Sequence, residues 1–450
     1  MTTEAPQSNM IPLDEVALQA VRANGNPKAL IAKLIDTGTN MVRNNQAKEA
    51  LAVFDEGIDV ARSMNDGYSE ASLLGNKGIA LQHLRKLDDA IECLEQARVI
   101  AEDLDNPAFL SHVLGQLGAA QADLGSADQG ISLMVRALDI ATDLGSKPLQ
   151  MAHLGMIGNT FLLIAAVEDA NQYYLRALEL ARELGDRQAE GGFLNNLGHV
   201  FSNMEMPQEV IGYLNDALVI ARELGDTRGQ RNALSRLMDA YIASEAIDEA
   251  VRCGDEALES VRAEGDKELE ATYLNRIVVA LINANRKDDV LPYLQQAMQV
   301  ANELNDHRLQ LNLLTNLANL HFEANRLDEA LEVYAKATTL ASATSQRKVE
   351  ARLLGRLSAV HAERGAAKTA LDYAQRALTR AQEVDDPFVI GEQAMLLAMC
   401  QHDLGQTGDA IDSCKLAHSA FETAKQSDKM AQADQLLQAL ENGEQESQSR

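Results

Sequence analysis

The sequence predicts an all-α protein, an α-solenoid of ten helix–turn–helix units closed by capping helices. Three observations carry that prediction. The 450-residue chain repeats with a period of 40 from Pro27 to about Lys425, without insertion or deletion. One column of the repeat holds Ala97, Ala137, Ala177, Ala217, Ala257, Ala297, Ala337, Ala377 and Ala417, broken by Gly57. A second holds Leu34, Leu74, Leu114, Leu154, Leu194, Leu234, Leu274, Leu314 and Leu354, and lapses at Ala394. A period of roughly 20–50 residues marks units that cannot bury an apolar face alone and stack on their neighbours to do so.

The elements follow in order. Residues 1–26 form an N-terminal segment, in which Leu13, Val16, Ala20 and Val21 share one side of a helix over 12–23 and cap the open face of the first unit. Ten units then fill 27–426. In the unit 187–226, Leu194, Leu197, Gly198 and Phe201 recur at i, i+3, i+4 and i+7, the stripe of one α-helix. Val210, Leu214, Ala217, Ile220, Ala221 and Leu224 make the stripe of a second. The turn between them carries Asn45, Gly125, Asn285, Asn325, Gly365 and Gly405, residues that tolerate the left-handed conformation ending a helix; Arg85, Ala165, Glu205 and Glu245 fit the column less well. Gly185-Asp186, Gly225-Asp226 and Gly265-Asp266 end second helices, the glycine closing one helix and the aspartate capping the next. Gly78, Gly118, Gly158 and Gly198 recur mid-helix, where glycine costs about 1 kcal/mol against alanine, so the partner helix is expected to approach too closely for a side chain. From the sixth unit the column reads Met238, Val278, Ala318, Ser358 and Ala398, and packing there must differ. Leu436, Leu437 and Leu440 mark a C-terminal capping helix over 427–441, and 442–450 reads as a disordered polar tail.

Bulk properties narrow the function. A net charge of −27 argues against nucleic acid and anionic lipid as partners. No apolar run approaches 18 residues, so no membrane insertion is expected. Met1 to Asn9 carries no secretory signal. Cys93, Cys253, Cys400 and Cys414 show no paired spacing and read as core residues of a reducing compartment, which implies a cytoplasmic location.

Leu194, Leu197-Gly198, the aromatic Phe201, Val210, Leu214 and Ala217 resemble the tetratricopeptide repeat. The 40-residue form, running on through A-R-E-L-G-D without the family's late proline, is similar to the repeats of Pins/LGN-type adaptors, kinesin light chains and bacterial tetratricopeptide proteins. The resemblance covers about nine-tenths of the chain; no G-protein-binding motif of the Pins type follows it. It implies a right-handed superhelix whose first helices line a concave groove and bind protein or peptide.

The groove side of the first helices carries positions equivalent to 192, 195, 199 and 203, with 196 at its edge. Units two to four put small groups there. Units five to nine put amides and cations there: Asn195, Asn196, His199; Asn232, Arg236; Asn275, Arg276; Asn312, Asn316, Asn319; Arg352, Arg356. An amide donates and accepts at once and can hold the backbone of an extended peptide. Arginine forks onto carboxylates. Together they suggest a clamp for an acidic segment, extended or helical. The bland alternative is that these asparagines bond to neighbouring helices and set pitch, while the arginines pair with the chain's own acids. Phe161, Leu162, Leu163 and Ile164 lead into an apolar turn that reads either as a contact for protein or self-association or as Leu163 and Ile164 packing under an adjacent unit.

Nothing points to catalysis, a metal or a cofactor. The nine histidines make no H-x-x-x-H pair, and His321 and His361 share a column with Phe161, Phe201 and Tyr241, which makes them packing residues. No phosphate loop or nucleophile elbow occurs. Acid pairs such as Asp88-Asp89 begin second helices, where they complement the helix dipole. The expected function is therefore a non-enzymatic adaptor. A peptide-responsive switch, an assembly chaperone and a self-assembling array are the rivals.

Overall fold

The computed structural model describes residues 18, 19, 21–23 and 25–448, with side chains through Asn442. Leu13, Val16 and Ala20 of the expected N-terminal cap lie outside the described residues. First helices begin at residue 27 and second helices at 47, each recurring every 40 residues with turns of two or three residues between.

The helices fall into two compact units, split after Ser244. The first holds α1 Pro27–Arg43, α2 Ala47–Ser63, α3 Gly67–His83, α4 Leu87–Asp103, α5 Pro107–Asp123, α6 Ala127–Asp143, α7 Lys147–Leu163, α8 Val167–Leu184, α9 Arg187–Asn203, α10 Pro207–Glu223 and α11 Thr227–Ala243. The second holds α12 Ile247–Glu264, α13 Lys267–Asn283, α14 Lys287–Glu303, α15 His307–Glu323, α16 Leu327–Ala343, α17 Arg347–Glu363, α18 Ala367–Val384, α19 Pro387–Asp403, α20 Thr407–Thr423 and α21 Ser427–Gln448. Each unit is a stack of helix pairs, the α-solenoid expected. Within each, every helix packs on the one before and the one after it, and first helices of successive repeats also meet, as α5 does α7 and α17 does α19. The final helix runs past the expected boundary at Glu441, with Leu440 buried and Leu436 and Leu437 packed against Ala398, Ile411 and Cys414; the tail expected from 442 is thus helical to Gln448.

The repeat columns are the core. From Ala97 to Ala417 the alanine column is at most 4% exposed, and of the leucine column only Leu314 is partly open. Alanine is used because two helices cross there. The glycine column does what close approach requires: a Cβ on Gly118 would stand 2.6 Å from the backbone oxygen of Gly130, and one on Gly198 would stand 2.7 Å from Leu214.

Every turn uses one left-handed residue. Arg85, Ala165, Glu205 and Glu245 adopt it despite their side chains, at φ 58°, 59°, 55° and 60°. The pull is hydrogen bonding: at the turn after α7 the N–H of Ala166 donates to Phe161 at 2.9 Å and that of Ala165 to Leu162 at 3.1 Å, a pattern that satisfies the last carbonyls. Asp186, Asp226 and Asp266 cap first helices by accepting from the backbone three residues on, at 2.9, 2.9 and 3.0 Å. Second helices carry no such cap and rely on acidic first turns, as in α4 and α14.

A second lock was not legible as a column of one residue type. Glu190, 8% exposed, accepts from Arg182 of α8 at 2.9 Å and from Arg187 at 2.7 Å. Glu270 repeats the arrangement with Arg262 at 2.7 Å and Lys267 at 3.0 Å. Where the column carries glutamine, Gln230 and Gln310 donate to the carbonyls of Ala221 and Ala301 at 3.3 and 3.2 Å. Either residue ties the start of a first helix to the end of the preceding second helix.

Candidate binding cleft

The second unit holds a cleft of about 770 Å³ along its first helices. Asn275 and Val279 of α13, Asn312, Thr315 and Asn316 of α15, Arg352, Leu353, Gly355, Arg356 and Ala359 of α17, and Glu392, Gln393 and Leu396 of α19 line it. A neighbouring hollow of about 490 Å³ shares Asn275 and Asn312 and adds Arg276, Arg308, Glu268 and Asp306. A third, of about 190 Å³, shares Asn316 and adds Asn319, Lys287 and Glu323. All seven sequence-predicted residues of this unit therefore line one connected run of hollows. The helical period produces that: positions five, eight or nine, and twelve residues from the starts of successive first helices fall on one face.

The chemistry is mixed. Arg356 makes no ion pair or hydrogen bond with a described residue, and it is exposed. Arg352 lies 3.3 Å from Glu392 and stands over the Phe388 ring at 6.0 Å. Arg276 stands over Tyr273 at 5.7 Å. Asp306 is engaged in capping α15 through the N–H groups of Arg308 and Leu309, both at 3.0 Å. Asn312 is exposed, and Asn275 and Asn316 are half-buried with no hydrogen bond to a described residue. Asn319 differs: its carbonyl accepts from the Tyr334 hydroxyl, so the bland alternative holds there. Asn159 and Tyr174 make the same bond at 2.6 Å in the first unit.

The other five predicted residues lie on α9 and α11 of the first unit. Asn196 is half-buried and Asn232 exposed. The Asn195 carbonyl oxygen is buried without a partner. His199 is held below its ordinary pKa by burial and by the nearby Arg236. Burial likewise lowers the Arg236 guanidinium, against a rise from Asp239. In the apolar turn, Phe161 stacks on Tyr173 at 5.4 Å and Leu162 is packed, whereas Leu163 and Ile164 are 59% and 46% exposed. Leu163 and Ile164, the two residues of the packing alternative, are thus not packed under the adjacent unit.

Residues 268–343 and 309–383 match the sequence model of the tetratricopeptide repeat family. Residues 268–383 carry tetratricopeptide repeats. The matched stretch contains α13 to α17 and most of the cleft, and the same helix bounds recur every 40 residues on either side of it. No curated protein matches in sequence. Among solved structures, the apo form of RapI is 13% identical with a TM-score of 0.51, covering 79% of this chain and 98% of that one. BtubC (BKLC) from P. vanneervenii is 19% identical with a TM-score of 0.45, covering 49% and 92%. A Rap protein solved with competence and sporulation factor is 16% identical with a TM-score of 0.41, covering 66% and 98%. At 13% identity the likeness to RapI is one of fold.

Sequence reasoning missed Gly355, Gln393 and Arg308. The signal was present for one of them: Gln393 is a polar residue in a column that otherwise reads Lys33, Leu73, Val113, His153, Phe193, Ala233, Tyr273, Leu313 and Leu353, apolar but for the lysine and the histidine. Among the described residues no cluster of His, Cys, Asp or Glu is placed to hold a metal ion, and no helix is long and apolar enough to cross a membrane.

Proposed function

We propose that the protein is an interaction scaffold whose tetratricopeptide repeats hold a segment of a partner protein, extended and acidic, in the cleft of residues 275–396. The observation that carries this is the convergence of Asn275 from one first helix and Asn312 and Asn316 from the next on the unpaired Arg356. An extended strand advances about 3.3 Å per residue, and successive amides along it can hold alternate peptide units without reading side chains. Arg356 supplies the preference for a carboxylate. The surrounding charge of −27 sharpens that preference by making an acidic partner's approach favourable only where cations gather.

The test is quantitative affinity capture with the whole chain and with a variant carrying Asn275→Ala, Asn312→Ala, Asn316→Ala and Arg356→Ala. These side chains are exposed or half-buried, so the variant should keep its melting temperature within a few degrees. The scaffold reading expects a set of proteins retained by the natural chain and lost from the variant. Equal retention by both would contradict it. Small-angle scattering of the complex then separates scaffold from switch: a scaffold keeps its radius of gyration on binding, and a peptide-responsive switch changes it.

A further inference from the structure

The floor of the cleft holds a polar group that nothing in the fold explains. Gln393 is 5% exposed, and its Oε1 is buried without a hydrogen-bond partner among the described residues. Leu313 and Leu353, two repeats and one repeat earlier in the same column, are at most 1% exposed and apolar, so the fold itself needs no amide there. Directly above lies Gly355, where a Cβ would stand 2.3 Å from that oxygen. Neighbouring repeats fill the glycine's column with Asn275 and Thr315. Two earlier repeats also pair a groove glycine with a large residue beneath it, but differently: Gly155 rests on the Phe193 ring, and Gly115 on His153, which is hydrogen-bonded to Ser111 at 2.7 Å. Gln393 alone of these three carries an unanswered carbonyl acceptor, and it lines the cleft beside Arg352 and Arg356. A buried carbonyl left without a donor destabilises the free protein, and a ligand that supplies the donor recovers that loss on binding.

We propose that Gly355 and Gln393 form a specificity subsite for a carboxamide, an Asn or Gln side chain of the bound segment. The incoming amide N–H donates to Gln393 Oε1, and its carbonyl accepts from Gln393 Nε2. Two primary amides are self-complementary in this way, whereas a carboxylate can only accept and an alkyl chain can do neither. The absent Cβ of Gly355 makes the room that the Gln393 amide occupies at the cleft floor. Arg356, one residue along α17, then takes an acidic neighbour of that amide. The proposal rests on the cleft being a peptide site.

The probes are fluorescein-labelled, glutamate-rich decapeptides that differ at one central position: Asn, Gln, Asp, Leu or Ala. Fluorescence polarisation is read against the full chain. The Asn or Gln peptide should bind at least about tenfold tighter than the Leu and Ala peptides. Gln393→Leu should erase that difference and melt no lower than the natural chain. Gly355→Val should weaken all five peptides. Equal affinity across the panel, with loss on the four-site alanine variant, would overturn the subsite and leave the cleft standing. A preference that survived Gln393→Leu, or a melting temperature that fell by several degrees in that variant, would also overturn it. Failure of every peptide to bind would overturn the cleft and the subsite together.

Discussion

At the scale of single residues, His153 is the most sensitive point in the first unit. It is 2% exposed, and its Nε2 lies 2.7 Å from Ser111 Oγ. The hydroxyl proton of Ser111 goes to the Ala137 carbonyl at 2.8 Å, so His153 must donate through Nε2. Its Nδ1 is then a buried lone pair without a partner. Burial, with a smaller contribution from His112, pushes its pKa down to about 4. The native state therefore holds the ring neutral while the unfolded chain protonates it near 6.5. Stability from this group is fully present above that ordinary value and is lost as pH falls toward the folded-state value, by about 3 kcal/mol in all. His153→Phe, which copies the Phe193 found one repeat later, should flatten urea unfolding across that window. An unchanged pH dependence would contradict the assignment. The turns give a second residue-scale test. Ala165, Glu205 and Glu245 sit at left-handed φ without being glycine or asparagine. Replacing each by glycine should raise the unfolding free energy read from urea titration by up to about 1 kcal/mol, because relief of the Cβ clash exceeds the added freedom of the unfolded chain.

At the scale of elements, the close crossing of α5 and α6 is the tightest seam. The Cβ of an alanine at 118 would meet the backbone oxygen of Gly130 at 2.6 Å, and backbone cannot rotate away. At 198 the obstacle is the tip of Leu214, a side chain that can repack. Gly118→Ala should therefore cost about 1–3 kcal/mol in thermal or urea unfolding, and Gly198→Ala distinctly less. That glycine column, the alanine and leucine columns and the turn glycines were all legible in the sequence, since each is one residue type imposed by one geometric need. The latch built on Glu190 and Glu270 was harder to see, because glutamate and glutamine reach the same helix end by different bonds. The site was legible in part. Asn275, Asn312, Asn316 and Arg356 share a face by helical period alone. That Asn319 is tied to Tyr334 depends on what stands fifteen residues on, in another helix, and a single column does not carry that information.

At the scale of the whole molecule, the proposed function makes charge govern how an acidic partner finds the cleft. A chain of net charge −27 repels acidic segments overall, and Arg276, Arg308 and Arg356 place cations in the hollows of the second unit. Binding should then weaken with salt, since exposed charges are screened beyond about 8 Å at physiological ionic strength. Affinity should fall several-fold between about 50 and 500 mM sodium chloride for the natural chain and much less for Arg356→Ala. A salt response equal in both would remove Arg356 from the interface. The claim that the first-helix face of the second unit is where the partner lies is tested most directly by site-specific photo-crosslinking. A benzoylphenylalanine at position 316, in the cleft, is compared with one at 332, where Glu332 is 66% exposed on a second helix. The account predicts a crosslinked partner from position 316 and none from 332. A partner captured from 332 and not from 316 would contradict it.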